Sequence, residues 1–302
     1  MMKLFECVPN FSVGRDDDVI SRIAEAASRA EGTQLHDIHS DCDHNRSVFT
    51  VTGGPDEISE AAFLMAEAAV GSIDLNAHFG AHPRVGACDV IPFAPVSCAT
   101  LSECVEIAKK TGERIGYELG VPVFLYEAAA SRPERRNLAD LRRGGLDGLS
   151  KKMAGSGWEP DYGPIVPHKT AGVVAVGARK PLIAFNILLD TPDVGLAKKI
   201  AAKIRESSGG LPCVKALGLY LAAQDKAQVS MNLTDYETTP IHAVYEAVEA
   251  EAKKRGVGIH SSELVGLAPA KALAECAGFF IKARGIASKT IEGNVLDVRR
   301  ID

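Results

Sequence analysis

Strand-type and helix-type hydrophobic periodicities follow one another along this chain in an order that occurs twice. No other feature restricts the fold as much. Lys3–Val8 reads as a strand. Asp16–Ala30 reads as a helix, with Val19, Ile20, Ile23, Ala27 and Ala30 at helical spacing and Gly32 beyond its end. Asp16, Asp17 and Asp18 crowd its first turn, where the helix dipole favours negative charge. Gln34–His39 and Ser47–Thr52 read as strands joined by a polar loop, and Gly53-Gly54-Pro55 opens a helix that runs to Gly71. Val90–Val96 reads as a strand weakened by two prolines. Thr100-Leu101-Ser102-Glu103 is a capping box for a helix that stops at Gly120, and Val121–Tyr126 reads as a buried strand. The order is β-α-β-β-α-β, with one extra helix before the last strand.

From Glu127 to Pro167 the periodicity fades, and Arg132, Arg135, Arg136, Arg142, Arg143, Lys151 and Lys152 outnumber the acids around them. Such a stretch is either a functional lid or connector, or a solvated helical excursion. Order resumes with strands at Gly172–Ala178 and Leu182–Leu189, a helix at Pro192–Glu206, and strands at Val214–Leu221 and Gln228–Leu233. A helix opening at Thr239-Pro240, a strand near Val257–Ser261 and a short helix from Pro269 follow, and the tail after Gly285 is polar and peripheral. Residues 182–261 therefore repeat the β-α-β-β-α-β order, the split-βαβ plan. The expected fold is α/β (α+β), with two tandem ferredoxin-like subdomains, 1–179 and 180–302, and a ligand cleft between them.

Composition narrows the function classes. A chain of 302 residues buries enough surface to need neither disulfide nor metal as a staple. Its 46% hydrophobic and 24% charged fractions are those of a globular protein, and a formal net charge of −5 argues against nucleic acid, whose phosphates require a basic face. The longest apolar runs, such as Leu182–Leu189, are far shorter than a membrane span, and the amino terminus lacks the apolar core of a signal peptide. The 7 cysteines are scattered without a CxxC pair, which points to a reduced, cytoplasmic protein.

Three stretches could carry chemistry. His36-Asp37-Ile38-His39-Ser40-Asp41-Cys42-Asp43-His44 offers metal-ligand types, but at no established ligand spacing, so a polar turn between strands competes with a metal site. Alternation puts His36 and Ile38 on one face and Asp37 and His39 on the other, so that only residues 41–44 converge. Ala77-His78-Phe79-Gly80-Ala81-His82-Pro83-Arg84-Val85-Gly86-Ala87-Cys88-Asp89-Val90, a His-Pro-Arg triplet with glycines on both sides and a strand behind it, suits a catalytic loop. Gly80 and Gly86 would supply backbone angles other residues avoid, Pro83 would hold His82 extended, and an imidazole can take and return a proton at neutral pH. Asp161-Tyr162-Gly163-Pro164-Ile165-Val166-Pro167-His168-Lys169-Thr170-Ala171-Gly172 is a stiff, irregular wall that either lines a flat aromatic ligand or links two domains.

Together these stretches resemble the formiminotransferase family. The resemblance is carried by Phe5-Glu6-Cys7-Val8-Pro9-Asn10-Phe11-Ser12, Asn45-Arg46, His82 to Phe93 and Gly177 to Asn186, with further matches at Leu119–Tyr126, Gln228–Asn232 and Glu263–Leu267. It covers nearly the whole chain. It implies transfer of a formimidoyl group from N-formimidoyl-L-glutamate to N5 of the co-substrate tetrahydrofolate, in histidine degradation, by a cytoplasmic homodimer that uses no metal. With no room after Asp302 for a helical cyclodeaminase half, a separate cyclodeaminase is the expected partner. The resemblance puts the catalytic histidine at His82 and the folate-binding segment at Gly163–Gly172.

Both substrates carry several carboxylates, so Arg46, Arg84, Arg179 and Lys180 are candidates to hold them, and Asp89 is the candidate to orient the imidazole. The basic excess in 132–152 is a candidate contact for a polyglutamate tail. Competing readings are a formyl rather than formimidoyl transferase, a transferase using glycine-derived donors, a metal-dependent hydrolase built on His36–His44, and a non-catalytic folate carrier.

Overall fold

The computed structural model describes residues 3–80 and 83–286. The polar tail expected after Gly285 lies mostly outside this range. The chain divides into two compact units, one reaching to Lys180 and one beginning at Pro181.

In the first unit, β1 (Leu4–Cys7) and β2 (Asn10–Phe11) form one broken edge-to-edge strand between β4 (Arg46–Gly53) and β5 (Cys88–Ser97). With β3 (Gln34–Asp41) on the far side of β4, the spatial order β5, β1/β2, β4, β3 is antiparallel throughout, the ferredoxin-like arrangement. α1 (Asp17–Ser28) starts where Asp16 Oδ1 accepts from the Val19 N–H. α2 (Pro55–Ser72) begins with proline in its first turn, and α3 (Leu101–Glu118) has the complete Thr100/Glu103 capping box. All three helices cover one sheet face, burying Phe5, Phe11, Phe49, Ile58, Met65, Ile91 and Phe93.

One detail differs from expectation. The fourth ferredoxin strand is β5, not 121–126. Its two prolines are accommodated because the register with β1 slips by one residue opposite Pro95, and Pro92 contributes only its carbonyl, which accepts from Val8 N at 3.2 Å. β6 (Val123–Glu127) extends the sheet instead, with β7 (Val174–Ala178) inserted between β5 and β6 and parallel to both.

The stretch 127–167 is a helical excursion, solvated on its outer side but with a buried face. It forms α4 (Leu138–Leu141) and α5 (Gly145–Met153), which bury Leu141, Leu149 and Met153 against Val90, Phe124, Tyr126 and Ala175. These strand residues alternate with those facing α1–α3, so the added layer covers the opposite face of the β5–β7–β6 half of the sheet. Its anchor is Arg135, 1% exposed, whose Nη1 donates to Asp161 Oδ2 at 2.8 Å; the same oxygen accepts from Leu125 N at 2.8 Å.

The second unit is the same plan without additions. β8 (Ile183–Leu189), α6 (Val194–Ile204), β9 (Val214–Leu221), β10 (Lys226–Leu233), α7 (Ile241–Lys253) and β11 (Ile259–Val265) give an antiparallel sheet ordered β11, β8, β10, β9. Ile183, Phe185, Ile187, Ala227, Val229 and Met231 alternate onto the face covered by α6 and α7, and α8 (Ala270–Phe280) follows. No helix among the described residues is long and apolar enough to cross a membrane.

Candidate active site

A polar pocket opens at the end of β2, β4 and β5 in the first unit, lined by Phe11, Ser12, His44, Asn45, Arg46, Arg84 and Asp89. Backbone and side-chain hydrogen bonds fix its walls. Ser12 Oγ donates to Gly86 O at 2.7 Å and Ser12 N to Ala87 O at 2.8 Å, pinning the end of β2 to the loop before β5. Asn45 is the node of the opposite wall. Its Oδ1 accepts from Gly14 N at 2.9 Å, its Nδ2 donates to Phe79 O at 3.1 Å, and its carbonyl pairs with His78 Nε2 at 2.8 Å. A carbonyl only accepts, so the Nε2 of His78 carries the proton. Its buried Nδ1 has no partner, and burial, first, and then Arg84 and Arg15 hold the ring below the usual histidine pKa, against the bond to Asn45. Asn45 adopts φ 47°, a left-handed conformation that asparagine tolerates better than most residues.

The glycines serve close approach rather than unusual angles. A Cβ on Gly80 would lie 2.1 Å from His44 O, and one on Gly86 would lie 1.9 Å from Val173 O. Neither glycine has a positive φ among those that do, so the expected need for special backbone angles is replaced by a steric one.

Charge in the pocket is unbalanced. Asp89, buried, accepts from Val85 N at 2.7 Å through Oδ1 and from Arg142 through Oδ2. Asp89 therefore ties the loop before β5 to the added helical layer. The buried Nε of Arg46 has no partner; burial and the neighbouring Arg142 bring its pKa down to about 10, while Asp89 and Asp41 oppose the shift. Arg84 donates to His78 O, and burial lowers its pKa, with Asp89 acting the other way. Three guanidiniums, of Arg46, Arg84 and Arg142, thus face two carboxylates, of Asp89 and Asp41, leaving the pocket suited to an anionic ligand.

Residues 163–172 lie against the same loop. Leu75 N donates to Thr170 O at 2.9 Å, Asn76 Nδ2 to Lys169 O at 3.0 Å, Ala87 N to Ala171 O at 2.9 Å and Val173 N to Val85 O at 3.0 Å. Residues 168–172 close a tight turn on themselves: His168 N donates to Gly172 O at 2.8 Å, Gly172 N to His168 O at 3.0 Å, and Ala171 N to His168 Nδ1 at 3.0 Å. Gly163 has φ +82°, and a Cβ on it would lie 2.9 Å from Gly116 O; Pro164 and Pro167 bracket Ile165 and Val166, which are 69% and 63% exposed. Phe79, at 75%, is likewise open to solvent.

Three expectations stand elsewhere. His82 lies outside the described residues, between Gly80 and Pro83. Arg179 is at the other end of the sheet: its N donates to Phe93 O at 2.9 Å and its Nη1 to Lys180 O at 3.1 Å, four residues along β5 from Asp89, roughly 13 Å at the strand rise. There it faces Glu6, whose carboxyl is raised by burial and partly lowered by Arg179. The His36–His44 stretch is strand β3 and its turn, with alternating exposure; His36 Nε2 meets Thr52 Oγ1 at 2.7 Å, and Asp41 holds His44. Among the described residues no group of three or more His, Cys, Asp or Glu side chains could hold a metal ion. Most of the basic excess is also committed, Arg132 to Glu159, Arg135 to Asp161, Arg142 to Asp89 and Arg143 to Asp140. Ser12, Asn45 and Arg142 were missed as site residues; the first two lie inside the motifs Phe5–Ser12 and Asn45-Arg46.

Comparison with known proteins shows the family. Residues 4–179 match the N-terminal subdomain of the formiminotransferase domain, and residues 184–296 match the formiminotransferase domain. The chain belongs to the formiminotransferase family. It is 48% identical over 93% of its length to a glutamate formimidoyltransferase of Streptococcus pyogenes, covering 94% of that protein. A glutamate formimidoyltransferase of Thermoplasma acidophilum is 43% identical over 98% of this chain and 97% of its own. The formimidoyltransferase-cyclodeaminase of Sus scrofa is 42% identical over 95% of this chain, which spans 54% of that longer protein. Formiminotransferase membership makes the chain a transferase.

Proposed function

We propose that the chain transfers the formimidoyl group of N-formimidoyl-L-glutamate to N5 of tetrahydrofolate, releasing glutamate. The observation that carries this reading is near-full-length identity, 48% and 43%, to two proteins named for that activity. The unbalanced arginines of the pocket support it, since both substrates are polyanions.

In the transfer, the bond from N5 to the amidine carbon forms as the bond from that carbon to the glutamate nitrogen breaks. One proton leaves N5 and one reaches the departing nitrogen. His82 performs both transfers, a task suited to imidazole and worth roughly 10²–10⁴ in rate. Arg46, whose buried Nε has no partner, and Arg84 bind substrate carboxylates, while residues 163–172 hold the folate beside the loop. Asp89 serves by fixing that loop through Val85 and Arg142. Holding two substrates in register supplies most of the remaining acceleration. Histidine degradation in the cytosol, action as a homodimer without metal, and hand-over of the product to a separate cyclodeaminase complete the reading.

The test is incubation of purified chain with tetrahydrofolate and N-formimidoyl-L-glutamate in the absence of metal, following product after acid conversion to the methenyl form. Product from the wild type and none from His82→Ala supports reaction, donor and base together. Product from N-formyl-L-glutamate alone would replace the donor. No product from either, with no binding of tetrahydrofolate, would overturn the reading.

A further inference from the structure

The sheet face of the second unit that α6 and α7 leave uncovered carries a polar cluster at its centre. Strand pairing sets Glu263 of β11 opposite Asn186 of β8, and Asn186 opposite Ser230 of β10. Gln228 lies two residues from Ser230 on the same face. Asn186 Nδ2 donates to Glu263 Oε1 at 3.0 Å, and Gln228 Nε2 donates to the same oxygen at 3.2 Å. These two bonds fix which way both amides point, because a flipped amide would set its oxygen against the carboxylate.

Two features are unexplained by this network. Gln228 is 1% exposed, yet its Oε1 is buried without a hydrogen-bond partner. An orphaned buried acceptor is costly and calls for a donor. Glu263 has no ion pair among the described residues; only two neutral amides face it. A partly buried carboxylate without a cation, beside a carbonyl oxygen without a donor, is an all-acceptor surface.

Resting on the activity proposed above, we propose that Glu263 and Gln228 form a substrate subsite that receives an amidine-type N–C–N edge, two adjacent nitrogens each offering N–H. A carboxylate accepts such an edge well, more so when it is cationic. Both substrates of the proposed reaction contain this chemistry: the formimidoyl group as an amidinium, and the reduced pterin as its N3–H and 2-amino group. In either case Gln228 Oε1 takes an N–H that the free protein leaves unmatched. A formyl group offers no such N–H, so a subsite that held the donor would also reject formyl analogues.

The experiment measures steady-state KM for each substrate separately, kcat and melting temperature in wild type, Glu263→Gln and Gln228→Met. Glu263→Gln keeps an acceptor and removes the charge; Gln228→Met keeps volume and removes the acceptor. The expected result is a KM at least tenfold higher for one substrate and within twofold for the other, in both variants. A rise for tetrahydrofolate assigns the pterin edge. A rise for the formimidoyl donor, with weakened preference over N-formyl-L-glutamate, assigns the amidinium. Both KM values within twofold of wild type in folded variants would overturn the subsite and leave a structural network.

Calorimetric titration of the same three proteins with formamidinium and with tetrahydrofolate separates this inference from the activity. An inactive wild type that binds a probe, with binding lost in Glu263→Gln, would sink the activity and keep the subsite; unchanged binding would sink the subsite alone. Should Glu263→Gln not fold, Gln228→Met carries the same comparison.

Discussion

Arg142 and Asp89 meet across 53 positions of sequence, joining the helical layer over the sheet to the loop that opens β5. Asp89 is nearly sealed from solvent, so removing its cation strands a buried carboxylate. Arg142→Met is expected to cost about 3–5 kcal/mol, measured by urea denaturation. Turnover should fall with it, because Val85 N is held by the same carboxylate. Arg142→Met with Asp89→Leu should lose less stability than the single change, while activity stays low; a single-site cost below about 1 kcal/mol would refute the anchoring role.

His78 makes stability depend on pH. Burial, with Arg84 and Arg15 beside it, lowers its folded pKa below the unfolded value of 6.5. The unfolded chain therefore binds the extra proton first as pH falls, and stability present above that value is lost below it. Melting temperature should drop between neutral pH and the folded pKa, and His78→Gln, which can still donate to Asn45 O, should flatten that limb. An unchanged limb in His78→Gln would place the pH dependence elsewhere.

Gly86 and Gly71 offer opposite outcomes for one substitution. A methyl at Gly86 would press on Val173 O, breaking the junction between the loop and residues 169–173, whereas nothing lies within 4 Å of one at Gly71 in α2. Gly86→Ala should destabilise by about 3 kcal/mol or more, and Gly71→Ala should stabilise by about 0.5 kcal/mol. Thermal melts of the two variants give the comparison directly.

Asn45 holds Gly14, Phe79 and His78 at once, and does so in a left-handed conformation. Asn45→Gly keeps the conformation and loses both side-chain bonds; Asn45→Ala loses the bonds and adds about 1–2 kcal/mol of backbone strain. Both should raise hydrogen exchange at Gly14, and kcat should fall more for Ala than for Gly. Wild-type exchange at Gly14 in either variant would remove Asn45 as the node.

Hydrophobic periodicity made the second unit legible almost element for element, because a half-buried strand announces itself by alternation and its helices by capping and stripe. The first unit was harder at β5, where Pro92 and Pro95 disguise a central strand whose neighbours supply the bulge and the acceptors. α4 spans 4 residues and α5 spans 9, too few turns for a hydrophobic stripe to stand out, and they are held by Leu141, Leu149 and Met153 in a small core of their own. In the site, residues within one motif, such as Arg46 and Arg84, were visible by type. Arg142 was not: nothing local distinguishes it from Arg143, which pairs with Asp140 on the surface. Arg179 shared their type but not their place, since a strand carries a side chain away from a site at about 3.3 Å per residue.

The insertion of β7 between β5 and β6 has a kinetic meaning. Neither neighbour reaches β7 through a hairpin; about eighty residues separate it from β5, and the whole of α4, α5 and the turn at 168–172 intervenes after β6. Closing loops of that length is entropically slow, and contacts this distant in sequence set the pace of folding. The ferredoxin-like half of the first unit is local by comparison and can form beforehand. Residues 169–173, which bond to Leu75, Val85 and Ala87, run directly into β7, so this junction is expected to form with the slow long-range pairing and not with the local half.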